Sequence, residues 1–132
     1  MKRLHVMLKV NDLNESIKFY SALFGTEPTT QKDDYAKWLI EDPKVNFSIA
    51  ERPGEKGIEH LGIQAESETE LEEIRLNIGR ASKGVTRDEG DTICCYAKSD
   101  KSWISDPQGV EWEAFYTYGE SKSYTEQEAA CC

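Results

Sequence analysis

The sequence predicts an α+β domain in which two tandem βαβββ modules form one curved mixed sheet around a shared site. Two spacings carry this prediction. His5 and His60 are 55 positions apart (60 − 5), and each lies in a segment of alternating apolar and polar residues. Asp12 and Ser67 are also 55 positions apart (67 − 12), and each precedes an amphipathic segment. Equal offsets in the same order indicate an internal repeat.

The first module is expected to contain a strand, a helix and three further strands. Its helix starts with the capping box Asp12-x-x-Glu15, in which short polar and acidic side chains satisfy free backbone N–H groups. Gly25 follows as a natural helix stop. The predicted elements are a strand at Leu4–Val10, a helix at Leu13–Phe24 and strands at Thr29–Lys32, Tyr35–Glu41 and Val45–Glu51.

The second module repeats the first strand and helix, and four short strands are predicted after its helix. Its helix starts with Ser67-x-x-Glu70, and the segment 103–110 resembles 38–45 with an offset of 65 at Trp and Val (103 − 38, 110 − 45). The predicted elements are a strand at Ile58–Ala65, a helix at Glu68–Ala81, and strands at Val85–Arg87, Thr92–Ala97, Ser102–Ser105 and Val110–Tyr116.

The domain boundaries follow from these elements. Module one is expected to span about 1–53 and module two about 57–118, together one domain at 1–118. The polar segment 119–132 lacks large aliphatic residues and is expected to be a flexible tail that carries a terminal cysteine pair.

The charge balance of the chain excludes some functions. It has 16 Lys and Arg residues against 25 Asp and Glu residues, a formal net charge of −9. A nucleic-acid partner requires a basic surface, so we expect none. No apolar run approaches a membrane span, and the N-terminal segment lacks a signal-peptide core, so we expect no membrane association and a cytoplasmic location. A small-molecule substrate fits this composition better.

Strand alternation directs three metal-ligand side chains to one surface. His5, His60 and Glu113 each lie on the face of their strand opposite the apolar face. A lone strand histidine is more often a hydrogen-bonded structural residue than a ligand. These are the two histidines of the chain, however, and they occupy equivalent repeat positions. Two imidazoles and a carboxylate suit Fe(II), Mn(II), Ni(II), Co(II) or Zn(II), so we predict a divalent-metal site.

The four cysteines form two adjacent pairs, Cys94-Cys95 and Cys131-Cys132. Adjacent cysteines form only a strained disulfide, so reduced thiols that bind a soft ion are favoured over a disulfide framework. The alternative is that small apolar cysteines fill a strand. On a regular strand Cys94 and Cys95 point to opposite faces, so joint binding of one atom predicts a bulge or twist there. For Cys131 and Cys132, soft-ion capture and a dispensable role are equally open.

The segment Asp106-Pro-Gln-Gly-Val-Glu-Trp-Glu113 resembles the D-P-x-G-x-x-x-E ending of the vicinal oxygen chelate superfamily. That superfamily includes glyoxalase I, bleomycin-resistance proteins and extradiol dioxygenases. The segment 12–20 followed by Phe24-Gly25 resembles its first helix, and the resemblance covers about 3–118. It implies that His5, His60 and Glu113 hold the metal.

Superfamily members with four protein ligands take the fourth from the end of module one. The repeat places Ser48 opposite Glu113, and serine is a poor ligand. Three ligands with open positions resemble the facial triad of non-haem Fe(II) oxygenases. A register slip of three residues would offer Glu51 instead.

The segment Asp91-Thr-Ile-Cys-Cys-Tyr-Ala97, followed by Lys101-x-Trp103, resembles the organoarsenical carbon–arsenic lyases and the related cadmium-induced protein. This resemblance implies an Fe(II)-dependent, O2-consuming enzyme that converts trivalent methyl or aromatic arsenicals to arsenite. It assigns arsenic binding to Cys94 and Cys95, with Cys131 and Cys132 as accessory thiols. Ni(II), Co(II), Mn(II) or Zn(II) could replace iron in preparations.

Two other functions remain open at this point. A glyoxalase-like isomerase with Ni(II) or Zn(II) predicts a fourth carboxylate ligand and no oxygen requirement. A non-catalytic protein that binds cadmium or an organic toxin predicts stoichiometric capture. Both a monomer and a homodimer are compatible with the sequence.

Overall fold

The computed structural model describes residues 1–81, 87–94 and 97–120, with side chains left out at 87–94, 97–98 and 119–120. Val85, Cys95 and the tail residues 121–132, including Cys131 and Cys132, therefore lie outside the described residues. The described ranges form, in order, β1 (Arg3–Val10), α1 (Leu13–Phe24), β2 (Thr30–Lys32), β3 (Tyr35–Glu41), β4 (Lys44–Glu51), β5 (Gly57–Ala65), α2 (Glu68–Ala81), β6 (Arg87–Cys94), β7 (Ala97–Ser105) and β8 (Glu111–Glu120).

The strands of the described ranges form one mixed sheet in the order β2-β3-β4-β1-β5-β8-β7-β6. Each module has its first strand parallel to its last one, β1 beside β4 and β5 beside β8. The two modules join where β1 and β5 pair antiparallel. This arrangement confirms the α+β fold with two βαβββ modules. The first strands of both modules therefore lie together at the centre of the sheet.

Each helix starts at its predicted cap. The Asp12 carboxylate accepts a hydrogen bond from the Glu15 backbone N–H at 3.0 Å, and the Ser67 hydroxyl accepts one from Glu70 at 3.1 Å. Such a cap contributes about 1 kcal/mol to stability. Gly25, with φ of 72°, ends α1 in the left-handed conformation that glycine adopts without strain. Neither helix in the described part of the chain is long and apolar enough to cross a membrane.

Both helices cover the same kind of sheet face, the apolar one. The buried core of module one consists of Leu13, Ile17, Ala36, Trp38, Phe47 and Ile49. That of module two consists of Ala65, Leu71, Ile74 and Ala114. Because successive strand residues face opposite sides, this packing leaves the alternate residues of the central strands for the other face.

The predicted strand boundaries between 87 and 105 are wrong. The predicted strands Thr92–Ala97 and Ser102–Ser105 are replaced by the longer β6 and β7, which pair antiparallel with Cys94 opposite Ala97. The polar run at 98–102 resembles a loop in sequence. In the structure it is a strand paired on both sides, and its inward polar groups bind partners, as Ser99 does with Thr117 at 3.0 Å.

The predicted match of Trp38 to Trp103 is also wrong, by one residue. Trp38 pairs with Phe47 on the helix-covered face. Trp103 pairs with Glu113 on the opposite face and packs edge-on against His60, with ring centroids 5.0 Å apart. Strands β3 and β7 are thus related by an offset of 66 rather than 65.

Candidate metal centre

Three neighbouring strands bring His5, His60 and Glu113 together. His5 lies on β1, His60 on β5 and Glu113 on β8, and Gly62 of β5 pairs with both His5 and Glu113. The His5 and His60 Nε2 atoms are 3.1 Å apart. Glu113 Oε1 lies 3.3 Å from His5 Nε2 and 3.5 Å from His60 Nε2. One ligand atom from each residue therefore points at a common centre.

The centre is buried, and a glycine makes room for it. His5, His60 and Glu113 are 4%, 2% and 3% exposed. A Cβ added to Gly62 would lie 2.7 Å from the Glu113 carbonyl oxygen and 3.0 Å from Glu113 Cγ. Real Cβ atoms essentially never lie as close as 2.7 Å to a backbone atom, and 3.0 Å is tighter than nearly all their contacts, so a side chain at position 62 would force β8 to shift. No local sequence pattern indicates this role of Gly62.

The orientation of His5 is fixed by a backbone hydrogen bond. Its Nδ1 lies 3.1 Å from the Asn46 carbonyl oxygen. A carbonyl can only accept, so Nδ1 carries the proton and Nε2 presents its lone pair. Burial, with smaller contributions from the neighbouring His60 and Lys101, lowers the pKa of His5 to about 4. At neutral pH His5 is therefore a neutral imidazole whose Nε2 points at the centre.

The other two groups titrate as a pair. Burial acts to lower the pKa of His60, but its hydrogen bonds with Glu113 and Glu59 outweigh this and raise the pKa above 6.5. Burial acts to raise the pKa of Glu113, yet the Lys101 ammonium and His60 hold it far below its usual range. The Glu113 carboxylate thus favours the protonated form of His60, while His5 stays neutral, in a site shielded from water. A divalent cation fits this donor set, since it would take the place of that proton.

Lys101 adds a buried cation to the centre. Its ammonium donates to Glu113 Oε2 at 3.0 Å, and the residue is 3% exposed. In the sequence, Lys101 stands out only as part of the Lys101-x-Trp103 motif. The signal that could have found it is alternation, because a lysine two residues before Trp103 in a paired strand shares the face of that tryptophan.

The strand register tests which residue of module one corresponds to Glu113. Met7 pairs with Ser48, and Gly62 pairs with Glu113. Positions 7 and 62 are related by the 55-residue repeat (62 − 7), so Ser48 is the structural equivalent of Glu113, as predicted. Glu51 pairs with Val10 at the strand end and is exposed, so the alternative register does not occur.

Ser48 is committed to other partners. Its hydroxyl lies 3.0 Å from the Tyr35 hydroxyl and donates to Asn46 Oδ1 at 3.1 Å. The Asn46 amide in turn donates to Gln64 at 2.9 Å. Module one therefore contributes one ligand atom, from His5, and a neutral hydrogen-bonded network beside it.

A small polar cavity opens next to the centre. In the described part of the chain its lining combines two lysines and several hydroxyl groups with a single carboxylate. The lining residues are His5, Tyr35, Lys37, Asn46, Ser48, Ser99, Lys101, Glu113, Phe115 and Thr117. A small ligand in this cavity would reach a metal at the open side of the His5–Glu113 pair and would meet positive charge, although the whole chain is acidic.

Of the first cysteine pair, the described residues include the backbone of Cys94. Cys94 is the last residue of β6, and its Cα pairs with Ala97 at the start of β7. Its side chain, like Cys95, lies outside the described residues, so the predicted bulge stays a prediction. Four residues separate Ala97 from Lys101, about 13 Å of extended strand.

Comparison with known proteins gives a consistent result. A sequence profile of the Glyoxalase/Bleomycin resistance protein/Dioxygenase superfamily matches residues 2–114. A protein named trivalent organoarsenical cleaving enzyme from a Bacillus species is 45% identical, over 100% of this chain and 83% of its own length. A cadmium-induced protein of Mycobacterium bovis is 35% identical, over 94% of this chain and 82% of its own. An extradiol ring-cleaving dioxygenase from B. fuscum shares the fold, with a TM-score of 0.64 at 15% identity over 91% of this chain and 34% of that one.

Proposed function

Because this chain belongs to the Glyoxalase/Bleomycin resistance protein/Dioxygenase superfamily, we propose that it is a carbon–arsenic lyase for trivalent organoarsenicals. Methylarsonous acid and trivalent aromatic arsenicals are the proposed substrates, and arsenite is the proposed arsenic product. The observation that carries this proposal is the convergence of two imidazole nitrogens and a carboxylate oxygen. It occurs in a chain whose whole length matches 83% of the length of a protein named trivalent organoarsenical cleaving enzyme.

His5, His60 and Glu113 are the proposed metal ligands, and Fe(II) is the proposed metal. The fixed tautomer of His5 and the ionised state of Glu113 prepare two of the three donors, while the raised pKa of His60 means that a proton and a cation compete for its nitrogen. Three ligands leave positions open for small molecules. Bound Fe(II) would supply the dioxygen chemistry that amino-acid side chains lack.

The proposed reaction balances with dioxygen alone. Methylarsonous acid plus O2 has the same atoms as arsenous acid plus formaldehyde: CH3As(OH)2 + O2 → As(OH)3 + HCHO. The As–C bond breaks, the methyl carbon loses four electrons, and O2 accepts them. Arsenic remains trivalent. The chain therefore needs no second reductant, and its residues have to bind the arsenical, exclude bulk water and hold O2 beside the carbon.

Cys94 and Cys95 are the proposed arsenic ligands. Trivalent arsenic is a soft acid that prefers thiolate, and two neighbouring thiols gain from chelation because the second capture is intramolecular. Cys94, the last residue of β6, pairs with Ala97 of β7, the strand that carries Lys101. The proposal requires one arsenical to contact both the thiols and the metal. Cys131 and Cys132 are proposed as accessory thiols.

The cellular setting follows from the same chemistry. Paired free thiols and Fe(II) both require a reducing compartment, which favours the cytoplasm. All three proposed metal ligands come from one chain, so a monomer suffices for the metal centre, and a homodimer would not be needed to complete it.

The decisive experiment is a reconstitution with Fe(II) under anaerobic conditions, followed by methylarsonous acid with and without O2. We expect arsenite and formaldehyde in equal amounts, and only with O2. Glu113→Gln should abolish turnover, while Lys18→Met, an exposed helix position, should retain it. Equal arsenite release without O2 would overturn the oxygen-dependent reaction. Stoichiometric arsenic or cadmium capture without product would identify a binding protein, and isomerase activity with Ni(II) a glyoxalase-like enzyme.

A further inference from the structure

Lys101 forms a buried ion pair with one of the two oxygens of Glu113. The ammonium binds Oε2 of Glu113, while Oε1 faces the two imidazoles. The side chain lies near the Phe115 ring, with Nζ 5.3 Å from the ring centroid, and is shielded from water. Burying an ammonium is costly unless it is paired, so Lys101 remains beside Glu113. Oε2 of Glu113 is therefore bound by Lys101, and Oε1 is left facing the two imidazole nitrogens.

The strand segment around Lys101 is hydrogen-bonded to helix α2 on the face opposite the metal centre. Asp100 and Ser102 point to the opposite face of β7, where Arg75 of α2 donates to them at 2.6 and 3.0 Å. Anchoring both neighbours of Lys101 to a helix restricts movement of the backbone between them. The position of the ammonium is thus set by α2 as well as by its carboxylate partner.

The equivalent pair in module one has no charge. The strand register relates Ser48 to Glu113 and Tyr35 to Lys101, since Lys37 pairs with Ser48 and Trp103 with Glu113. Tyr35 and Ser48 share a hydrogen bond of 3.0 Å, the same length as the Lys101–Glu113 contact. The scaffold therefore accepts a neutral pair at this place. The charge in module two has to be explained by what lies beside it.

We propose that Lys101 is a positioning residue that makes Glu113 a one-oxygen metal ligand and makes the occupied centre selective for anionic ligands. The inference rests on the metal centre proposed above. With a divalent metal, one carboxylate and one ammonium, the centre carries a charge of +2 instead of +1. Lys101 thus weakens metal binding by direct repulsion and strengthens binding of an anion, such as a thiolate or a deprotonated oxygen ligand, at the open positions.

The test uses Co(II) as the metal and azide as the anion, each measured through the visible absorption of Co(II). Lys101→Met should bind Co(II) about tenfold more tightly and azide about tenfold more weakly than the unmodified protein. Lys101→Arg, which keeps the charge, should stay within about threefold for both. Lys18→Met removes a charge from the opposite, helix-covered side and should change neither.

A second variant separates charge from position. Lys101→Gln keeps an N–H donor for Oε2 but loses the charge, so it should show the same two affinity changes while the Co(II) spectrum keeps its shape. In Lys101→Met the released Oε2 should join the metal, and the absorption should weaken as the coordination number rises. Urea unfolding of each variant shows whether it remains folded.

The opposite directions of the two affinities make the inference falsifiable. If Co(II) and azide affinities both fall in Lys101→Met and Lys101→Gln, or neither changes, Lys101 has only a structural role. If the unmodified protein binds Co(II) and azide as expected but releases no arsenite with Fe(II) and O2, the proposed function fails and the role of Lys101 stands. Failure to bind Co(II) at all would remove the metal centre and both proposals with it.

Discussion

Module one and module two differ in the side chains that fill the strand pair next to the central seam, which is the line where β1 pairs with β5. In module one the large residue is Met7 and its neighbour on the next strand is the small Ser48. In module two the small residue is Gly62 and its neighbour is the large Glu113. The large side chain is thus on the first strand in module one and on the last strand in module two. Only the arrangement in module two places a charged group at the centre. The repeat therefore accounts for the scaffold, and the difference between the modules at this strand pair accounts for the site.

The largest expected effect comes from giving module two the residue of module one. Glu113→Ser removes one ligand and leaves the Lys101 ammonium buried without its partner. Metal affinity should fall by at least on the order of 100-fold, since losing an outer-shell partner alone costs up to that much. Unfolding free energy should fall by about 3–5 kcal/mol. Isothermal titration with Co(II) and urea unfolding measure the two, with Ser48→Ala as the matched control. Retained metal affinity would show that Glu113 is not a ligand.

Removing the space beneath Glu113 should have the next largest effect. Gly62→Ala places a methyl group 2.7 Å from the Glu113 carbonyl oxygen. We expect a destabilisation of about 1–3 kcal/mol and about tenfold weaker Co(II) binding, because β8 has to shift. Gly79→Ala on α2, where an added Cβ meets nothing within 4 Å, is the control and should stabilise the helix by up to about 1 kcal/mol. Equal behaviour of the two variants would contradict the close packing at Gly62.

Giving module one the small and large residues of module two tests whether the side chains at positions 7 and 48 share one space. Ser48→Glu alone should overpack against Met7 and cost about 1–3 kcal/mol. Met7→Gly alone should leave a cavity and cost about 2–5 kcal/mol. The double variant should be less destabilised than the sum by about 1 kcal/mol or more, as contacting residues interact. Thermal or urea unfolding of the four proteins completes the cycle. Additive costs would mean that the two sites do not share space.

The smallest effect is expected at the neutral pair. Tyr35→Phe deletes the hydroxyl that bonds Ser48 and should cost about 1 kcal/mol in unfolding free energy. Co(II) affinity should remain within about threefold, because no charge is lost. The same titration on Lys101→Met gives the contrast. A tenfold change in Co(II) affinity for Tyr35→Phe would show that the module-one pair also acts on the centre.

The helices and most strands could be predicted because their signals are local. Each helix is defined by its cap, Asp12 or Ser67, and by the helical spacing of the apolar residues that follow the cap. The predicted bounds of α1 and α2 agree with the structure to the residue. The common face of His5 and His60 follows from alternation and the repeat. The equivalence of Ser48 and Glu113 needed no structure for the same reason.

The missed features all depend on contacts between distant segments. The polar run around Lys101 is a strand because β8 supplies its hydrogen-bonding partners, and no local sequence pattern predicts this pairing. The face of Trp103 depends on the length of the turn before β8, which shifts β7 by one residue relative to the repeat. The need for glycine at position 62 appears only when β5 lies between His5 and Glu113.

The position of the centre on the seam between β1 and β5 has a thermodynamic consequence. His5 belongs to module one, while His60 and Glu113 belong to module two, so a bound cation would join the halves non-covalently. By mass action, a metal present at 100 times its dissociation constant would add about 2.7 kcal/mol to the work of separating them. Amide hydrogens along the seam would then exchange more slowly as free metal rises. Metal supply would set how tightly the two halves of the sheet remain closed.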